Sequence, residues 1–166
     1  GRHEKSLTEI ASLRTLVETL PSPAWTRDTV GRLTFVNSAY TRAVEAKDAT
    51  DAVERNLELL DSSARETIAH ARNNGDGAYS GRLPAVVAGA RRSFDVLEIR
   101  TDTGSAGLGI DVTEAETMRS ALARLVDAHR RTLDQLPTGV AMFDTDQKLT
   151  FYNAAYRALW DLDAAM

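Results

Sequence analysis

The sequence predicts an α+β protein: a five-stranded antiparallel sheet with helices on one face, flanked by long helices. Two observations lead to this prediction. A segment of 25 residues occurs twice, with strand, turn, strand and helix signals in the same order, and three further strand-like runs follow the first copy. The expected order is therefore β-β-α-α-α-β-β-β, then a helix, then the start of a second unit of the same kind.

A duplicated segment organises the chain. Residues 20–44 read LPSPAWTRDTVGRLTFVNSAYTRAV, and residues 136–160 read LPTGVAMFDTDQKLTFYNAAYRALW. Ten of these 25 positions are identical at a constant offset of 116 residues, whereas chance would give roughly one or two, so the unit is duplicated. In each copy a helix ends before Leu-Pro, because proline cannot continue it. After the two strands, Asn37 or Asn153 stands where the next helix needs an N-cap.

The first copy continues into a complete domain. Its expected helices cover residues 38–47, 50–60 and 63–73, the last opening with the capping box Ser-Ala-Arg-Glu. Its further strands are expected at 81–87, 93–101 and 105–112, with the first two forming a hairpin that turns at 88–92. In the last strand Gly107 and Gly109 share one face, which leaves room for the close approach of another backbone.

Long helices precede and follow this domain. A T-x-x-E capping box at Thr113 opens a helix to about residue 135, and an S-x-x-E box at Ser6 opens the first helix. Apolar or small side chains recur at steps of three and four, as in a coiled-coil seam, so each helix either pairs with a partner or lies on its own domain. The predicted seam residues are Leu13, Leu16, Leu20, Met118, Leu122, Leu125 and His129.

Composition excludes several functional classes. The 166 residues are 43% hydrophobic and 27% charged with a net charge of -4, and no basic run marks a nucleic-acid binder. The absence of cysteine excludes disulfides, cysteine zinc sites and thiol nucleophiles. No apolar run could span a bilayer and no signal peptide is visible, so we expect a cytoplasmic segment without membrane contact. The ends indicate a piece of a longer protein, which leaves open a membrane anchor elsewhere in that protein.

No catalytic residue, metal ligand or cofactor is predicted. His70 lies on a predicted helix but lacks the surroundings of a haem ligand, and an exposed histidine near a helix end is the simpler interpretation. His129 lacks the acidic residue and proline that follow the phosphoacceptor of a histidine kinase. Asp28, Asp144 and Asp146 fall in hairpin turns, where aspartate is a common turn residue.

A ligand pocket is the alternative to a packed core. Trp25, which corresponds to Ala141 in the repeat, either fills the interior or covers the outer face of the sheet, because strand alternation permits both. Packed core is the simpler interpretation. The residues that would bound a pocket are Trp25, Phe35, Leu83, Val87, Leu97 and Ile99.

These residues resemble a known family. The segments LTFVNSAY and LTFYNAAY resemble the start of PAS domains, and Asp111-Val112-Thr113 resembles the motif with which PAS domains continue into signalling helices. The second copy, LDQLPTGVAMFDTDQKLTFYNAAYRALWDLD, is similar to the PAS region of alphaproteobacterial DivL-type cell-cycle sensor kinases. The expected organisation is an N-terminal signalling helix (1–20), a PAS domain (21–113), a linker helix (114–135) and the beginning of a second PAS domain (136–166).

The resemblance implies a regulatory, non-catalytic segment of a two-component sensor histidine kinase. In such proteins the PAS domains precede a kinase-like module that engages a single-domain response regulator, and the protein controls a partner histidine kinase. A homodimer and these two proteins are therefore the expected partners, and the parent protein is expected at the cell pole, with or without a membrane anchor. A PAS domain that binds a small molecule in its core is the alternative. The incomplete second copy is expected either to be partly disordered beyond Ala164 or to pack on a neighbouring chain.

Overall fold

The computed structural model of the chain has the predicted order of helices and strands. The structure describes residues 2–162, with side chains from residue 5 onwards, so the prediction for the segment beyond Ala164 lies outside the described residues. The elements are α1 (Arg2–Thr19), β1 (Ala24–Asp28), β2 (Leu33–Val36), α2 (Ser38–Ala43), α3 (Ala49–Glu54), α4 (Ser62–Asn74), β3 (Ala78–Val87), β4 (Ala90–Thr101), β5 (Gly104–Asp111), α5 (Thr113–Asp134), β6 (Ala141–Phe143), β7 (Leu149–Tyr152) and α6 (Ala154–Trp160).

The chain divides into two compact units, Gly1–Glu114 and Ala115–Met166. The first contains the five-stranded antiparallel sheet that the sequence predicts, in the order β2-β1-β5-β4-β3. The second contains a two-stranded sheet, β6 paired with β7. The predicted four-part domain organisation stays a prediction.

The hairpin between β3 and β4 turns more tightly than predicted. Val87 already pairs with Ala90, so only Ala88 and Gly89 connect the strands. Both have positive φ, 49° and 74°. This two-residue turn matches the right-handed twist of the strands, which extends the pairing into the segment predicted as loop.

One face of the five-stranded sheet carries the core of the first unit. Helices α2, α3 and α4 contribute to this core, and the helices therefore cover the inner face, as predicted. The buried cluster comprises Trp25, Leu33, Val36, Tyr40, Ala52, Leu59, Leu60, Ala64, Ile68, Ala85, Phe94 and Val96. The hydroxyl of the fully buried Tyr40 donates to the Leu57 carbonyl and accepts from the Leu59 amide, each at 3.1 Å. Burial raises the pKa of Tyr40 to about 12.

Two of the predicted helix starts are wrong. Helix α4 is capped by Asp61, whose Oδ1 accepts from the Ala64 amide at 2.8 Å, rather than by Ser63. Aspartate and serine are comparable N-caps, so the helix can begin at the earlier of two nearby candidates. Ser6 lies inside α1 rather than at its start. No helix within residues 2–162 combines the length and apolar character that crossing a membrane requires.

Candidate functional site

Trp25 lies on the inner face of the sheet, in the middle of the first unit. Its indole is 2% exposed and is tilted against the ring of Tyr40, with 5.8 Å between the centroids. It also covers the glycine face of β5: a Cβ at Gly107 would lie 2.3 Å from Trp25 Cε2. The glycine face therefore accommodates a side chain, and the expectation of a second backbone there is wrong.

Glu98 is the acidic centre of this interior and is only 3% exposed. Its Oε2 accepts from Trp25 Nε1 at 2.9 Å, and its Oε1 accepts from Arg72 Nη1 at 2.6 Å and from Ser105 Oγ at 2.9 Å. A buried carboxylate is tolerated when it is paired and hydrogen-bonded, and Glu98 meets both conditions. This residue was not predicted from the sequence, because β4 is apolar on both sides and alternation alone does not show which side is buried.

Arg27 extends this group into a buried ion network, defined here as Arg27, Glu58, Arg72 and Glu98. Its guanidinium donates to both Glu58 oxygens at 2.8 and 2.7 Å, and its Nε is 3.9 Å from Glu98 Oε2. Burial alone lowers the pKa of Arg27, but the hydrogen bond and charge of Glu58, together with the charges of Tyr40 and Glu98, raise the pKa above its ordinary value. All four residues were missed by the sequence analysis.

The ion network borders a cavity of about 230 Å³ whose charged lining includes Arg27, Arg65, Arg72 and Glu98. Among the described residues, no buried side-chain nitrogen or oxygen lacks a hydrogen-bond partner. The arginines at this cavity are paired with Glu58 or Glu98. In the part of the chain that the structure describes, this cavity therefore presents no unpaired buried side-chain group for chemistry.

The six residues predicted to bound one pocket lie on both faces of the sheet. Trp25 belongs to the inner core, and Leu83 and Val87 pack against that core. The other three side chains point to the outer face: Leu97 and Ile99 are 47% and 45% exposed, and Phe35 lies beneath the Arg14 guanidinium of α1 at 6.0 Å. The six residues therefore do not bound a single cavity, because alternate strand positions face opposite sides.

Asp111 and Thr113 connect the sheet to the start of α5. The Thr113 hydroxyl donates to Asp111 Oδ1 at 2.6 Å and accepts from the Ser93 amide at 2.9 Å. Arg92 Nη1 lies 3.8 Å from Asp111 Oδ2. The residues that resemble the motif at the end of a PAS domain thus join β4, β5 and α5 through hydrogen bonds.

The predicted seam residues are mostly exposed. On α5, Met118, Leu122 and Leu125 are 62%, 61% and 55% exposed, and His129 is also exposed. On α1, Leu13 and Leu16 are 56% and 59% exposed. Leu20 differs, since it follows the end of α1 and is half-buried. Except for Leu20, the seam is therefore available on the surface of both long helices.

Asn37 and Asn153 are buried at the start of the short helices that follow the two hairpins. Asn37 caps α2 by accepting from the Tyr40 amide at 3.0 Å, and Asn153 caps α6 by accepting from the Tyr156 amide at 3.0 Å. Both residues thus have the capping role that the repeat predicts.

Comparison with known proteins agrees with this architecture. A family model described as PAS domain matches residues 11–75 and 128–166. Sensor protein DivL of Caulobacter vibrioides is 30% identical over 165 residues, which cover 99% of this chain and 21% of that protein. The chain thus spans about a fifth of the length of this relative.

Two solved structures are similar in fold. The PAS domain of a protein from Colwellia psychrerythraea has a TM-score of 0.53 and 12% identity, over 63% of this chain and 98% of that chain. The phage VqmA–DPO complex has a TM-score of 0.52 and 18% identity, over 75% of this chain and 63% of that chain. At such low identity these similarities concern the fold alone.

Proposed function

This chain belongs to the PAS domain family, and from that premise we propose that it is the regulatory module of a bacterial two-component sensor histidine kinase. In this proposal it dimerises through its long helices and relays signals along them. The similarity to a sensor protein over 99% of this chain supports a role in signalling. The module itself is proposed to be non-catalytic, with a histidine-kinase-like domain elsewhere in the parent protein.

The observation that carries the proposal is the surface of α5. This helix has 22 residues and none of them is buried. Its exposed apolar side chains nevertheless lie on one side, because Met118, Leu122 and Leu125 follow each other at steps of four and three. Helices gain most of their stability from packing an apolar face, so a helix with this pattern is expected to have a partner.

A second copy of the same chain is the proposed partner. In a parallel pair, each apolar residue of the seam faces its own counterpart, which removes both side chains from water. The exposed Leu13 and Leu16 of α1 support the same arrangement for the helix that enters the first unit. Pairing of both helices would give a continuous path for a rotation or a register shift between successive domains.

Further partners are proposed from the similarity to the DivL-type kinases. They are another sensor histidine kinase and a single-domain response regulator, which this chain is proposed to bind in the cytoplasm. The alternative, a small molecule in the core, has less support, because its predicted lining is divided between two faces and Trp25 occupies the interior.

Cysteine crosslinking tests the helix pairing. The chain has no cysteine, so Leu122→Cys or Leu125→Cys introduces the only thiol. Because both positions lie on the proposed seam, mild oxidation is expected to convert most of either variant into a covalent dimer. Denaturing electrophoresis without reductant measures the dimer fraction.

Ser120→Cys is the matched control, since Ser120 is exposed on the opposite side of α5. It is expected to crosslink much less than the seam variants. Equal crosslinking at positions 120, 122 and 125, or none at all, would contradict pairing through this seam. In light scattering, Leu122→Glu should yield monomers, whereas Ser120→Glu should leave the dimer intact.

A further inference from the structure

A single buried side chain connects α1 to the first hairpin. Asn37 Nδ2 donates to the carbonyl of Val17 at 2.9 Å and to that of Ser22 at 3.0 Å. Its Oδ1 accepts from the amides of Ala24 and Tyr40 at 2.9 and 3.0 Å. The carbonyl of Val17 belongs to the last turn of α1, where carbonyls lack the usual helical partner, and the Leu20 amide reaches it only at 3.4 Å. Asn37 therefore caps the end of one helix and the start of the next.

Two surface contacts reinforce this connection. Glu18 Oε2 accepts from both the amide and the hydroxyl of Ser38, at 3.1 and 2.9 Å. The Arg14 guanidinium lies over the ring of Phe35 at 6.0 Å. The last turns of α1 are thus held to β2 and α2 by three kinds of contact, which we call the helix–hairpin joint: Arg14, Glu18, Phe35, Asn37 and Ser38.

The second unit contains the same joint, shifted by 116 residues. Asn153 Nδ2 donates to the carbonyls of Leu133 and Thr138 at 2.8 and 2.9 Å, and its Oδ1 accepts from the Val140 amide at 2.8 Å. Asp134 Oδ1 accepts from the Ala154 amide at 2.8 Å. The Arg130 guanidinium lies over the ring of Phe151, 5.8 Å from the ring centroid, as Arg14 lies over Phe35 in the first unit.

We propose that Asn37 and Asn153 are positioning residues that fix the rotational phase of α1 and α5 relative to the hairpins that these helices enter. The inference deepens the proposed relay function and rests on it. In this role, rotation of the helix necessarily displaces the strand that follows it. A flexible connection would let the helix turn without moving the sheet.

The chemistry of the amide explains why asparagine is required. Its two N–H groups face two carbonyls and its oxygen faces two amides, so all four hydrogen-bonding sites of Asn37 are used in one orientation. Rotation of α1 would move the carbonyl of Val17 away from Nδ2 and leave buried polar groups unpaired, which is costly. The joint therefore resists independent motion of the helix.

Asn37→Asp removes the donor side of the joint and keeps the acceptor side. The aspartate keeps an acceptor for the amides of Ala24 and Tyr40, but it presents an oxygen to the carbonyls of Val17 and Ser22. The measurement is electron paramagnetic resonance on the chain with nitroxide labels at Ala11→Cys and Asp102→Cys, both exposed. Dilution with unlabelled chain keeps the labels of different molecules apart. With Asn37 in place, the distribution of distances between the two labels should have one narrow peak. This peak should be absent in Asn37→Asp.

Asn73→Asp is the matched control, because it makes the same chemical change at an exposed residue of α4 and should keep the narrow peak. Retention of that peak in folded Asn37→Asp would overturn the proposal. If circular dichroism shows that this variant does not fold, Asn37→Ser decides, because serine is also a good N-cap but its single hydroxyl cannot donate to both the Val17 and the Ser22 carbonyl. A narrow peak in folded Asn37→Ser would also overturn the proposal. The readout is intramolecular, so failure of seam crosslinking refutes the dimer without affecting this result.

Discussion

The two copies of the repeat differ in burial while sharing one local geometry. In both, an aspartate oxygen accepts two amides in the hairpin turn: Asp28 from Val30 and Arg32, and Asp144 from Asp146 and Lys148. The core positions differ sharply, since Leu33 is 4% exposed and its counterpart Leu149 is 40% exposed. The hairpin and the joint are therefore encoded by local hydrogen bonds, whereas the core depends on strands and helices distant in sequence.

The copies also differ in the chemistry of the interior. Arg27 and Trp25 of the first copy correspond to Phe143 and Ala141 of the second, so the central arginine of the buried ion network and the indole that donates to Glu98 are not repeated. The repeat has kept the device that attaches the helix and the core residues Leu33 and Tyr40, which recur as Leu149 and Tyr156, but it has changed Trp25 and Arg27. Attachment is thus shared, whereas the charged part of the interior differs between the copies.

Arg27→Phe transfers the residue of the second copy into the first and is expected to have the largest effect. It removes the closest cation from the half-buried Glu58 and one of the two arginines beside the buried Glu98, which keeps Arg72. Removing one partner from a buried ion pair typically costs roughly 3–5 kcal/mol. Urea unfolding followed by Trp25 fluorescence measures the loss.

Thr26→Met is the control for that exchange, since it also transfers a residue of the second copy, at the adjacent position of β1. It is expected to change the free energy of unfolding by less than about 1 kcal/mol, because one exposed hydrogen bond to Thr34 is lost. If Arg27→Phe proved as stable as the original protein, the ion network would contribute no net stability. The exchange of Arg27 for Phe143 between the copies would then have no energetic consequence.

Leu33→Ala and Leu149→Ala make the same change at equivalent positions of the two copies. Replacing the buried Leu33 is expected to lower the free energy of unfolding by about 2–5 kcal/mol, because buried apolar surface is lost and a cavity remains. Replacing the partly exposed Leu149 should lower the free energy of unfolding by less than about 1 kcal/mol. Hydrogen exchange of the amides of β2 and β7 measures each hairpin separately. Equal costs would mean that both hairpins are buried to the same extent in solution.

Tyr40→Phe is expected to have the smallest effect that distinguishes the copies, and this effect depends on pH. Folding raises the pKa of Tyr40 from 10.0 to about 12. The contribution of the neutral Tyr40 hydroxyl to the free energy of unfolding is therefore fully present below pH 10 and is lost as the pH rises towards 12. A shift of this size corresponds to roughly 2–3 kcal/mol. The phenylalanine variant should lack this part of the alkaline loss in urea unfolding, while Tyr156→Phe in the second unit should retain it. Parallel pH profiles for Tyr40→Phe and the original protein would refute the assignment.

The sequence was sufficient for the elements whose signals are local. The N-caps Asn37 and Asn153, the strand–turn–strand pattern and the two long helices all depend on residues close to one another in the chain. The shift of the α4 cap from Ser63 to Asp61 shows the limit of such signals, because two good caps occur two residues apart.

The assignment of sheet faces could not be predicted, because β4 is apolar on both sides. Phe94 and Val96 alternate with Asp95 and Leu97, and Ile99 continues the second series. The buried side is decided by pairing with distant strands and by the indole of Trp25, which brings the charged Glu98 inwards. A pattern of period two contains no information about either, so the predicted pocket combined residues of opposite faces.

The contact between Trp25 and Gly107 has an evolutionary consequence. Since any Cβ at position 107 would collide with the indole, Gly107 can gain a side chain only where Trp25 is replaced by a smaller residue. Homologues with a small residue in place of Trp25 are free to carry a side chain at the position of Gly107. Covariation of these two positions across relatives would thus trace when the interiors of the two repeats diverged.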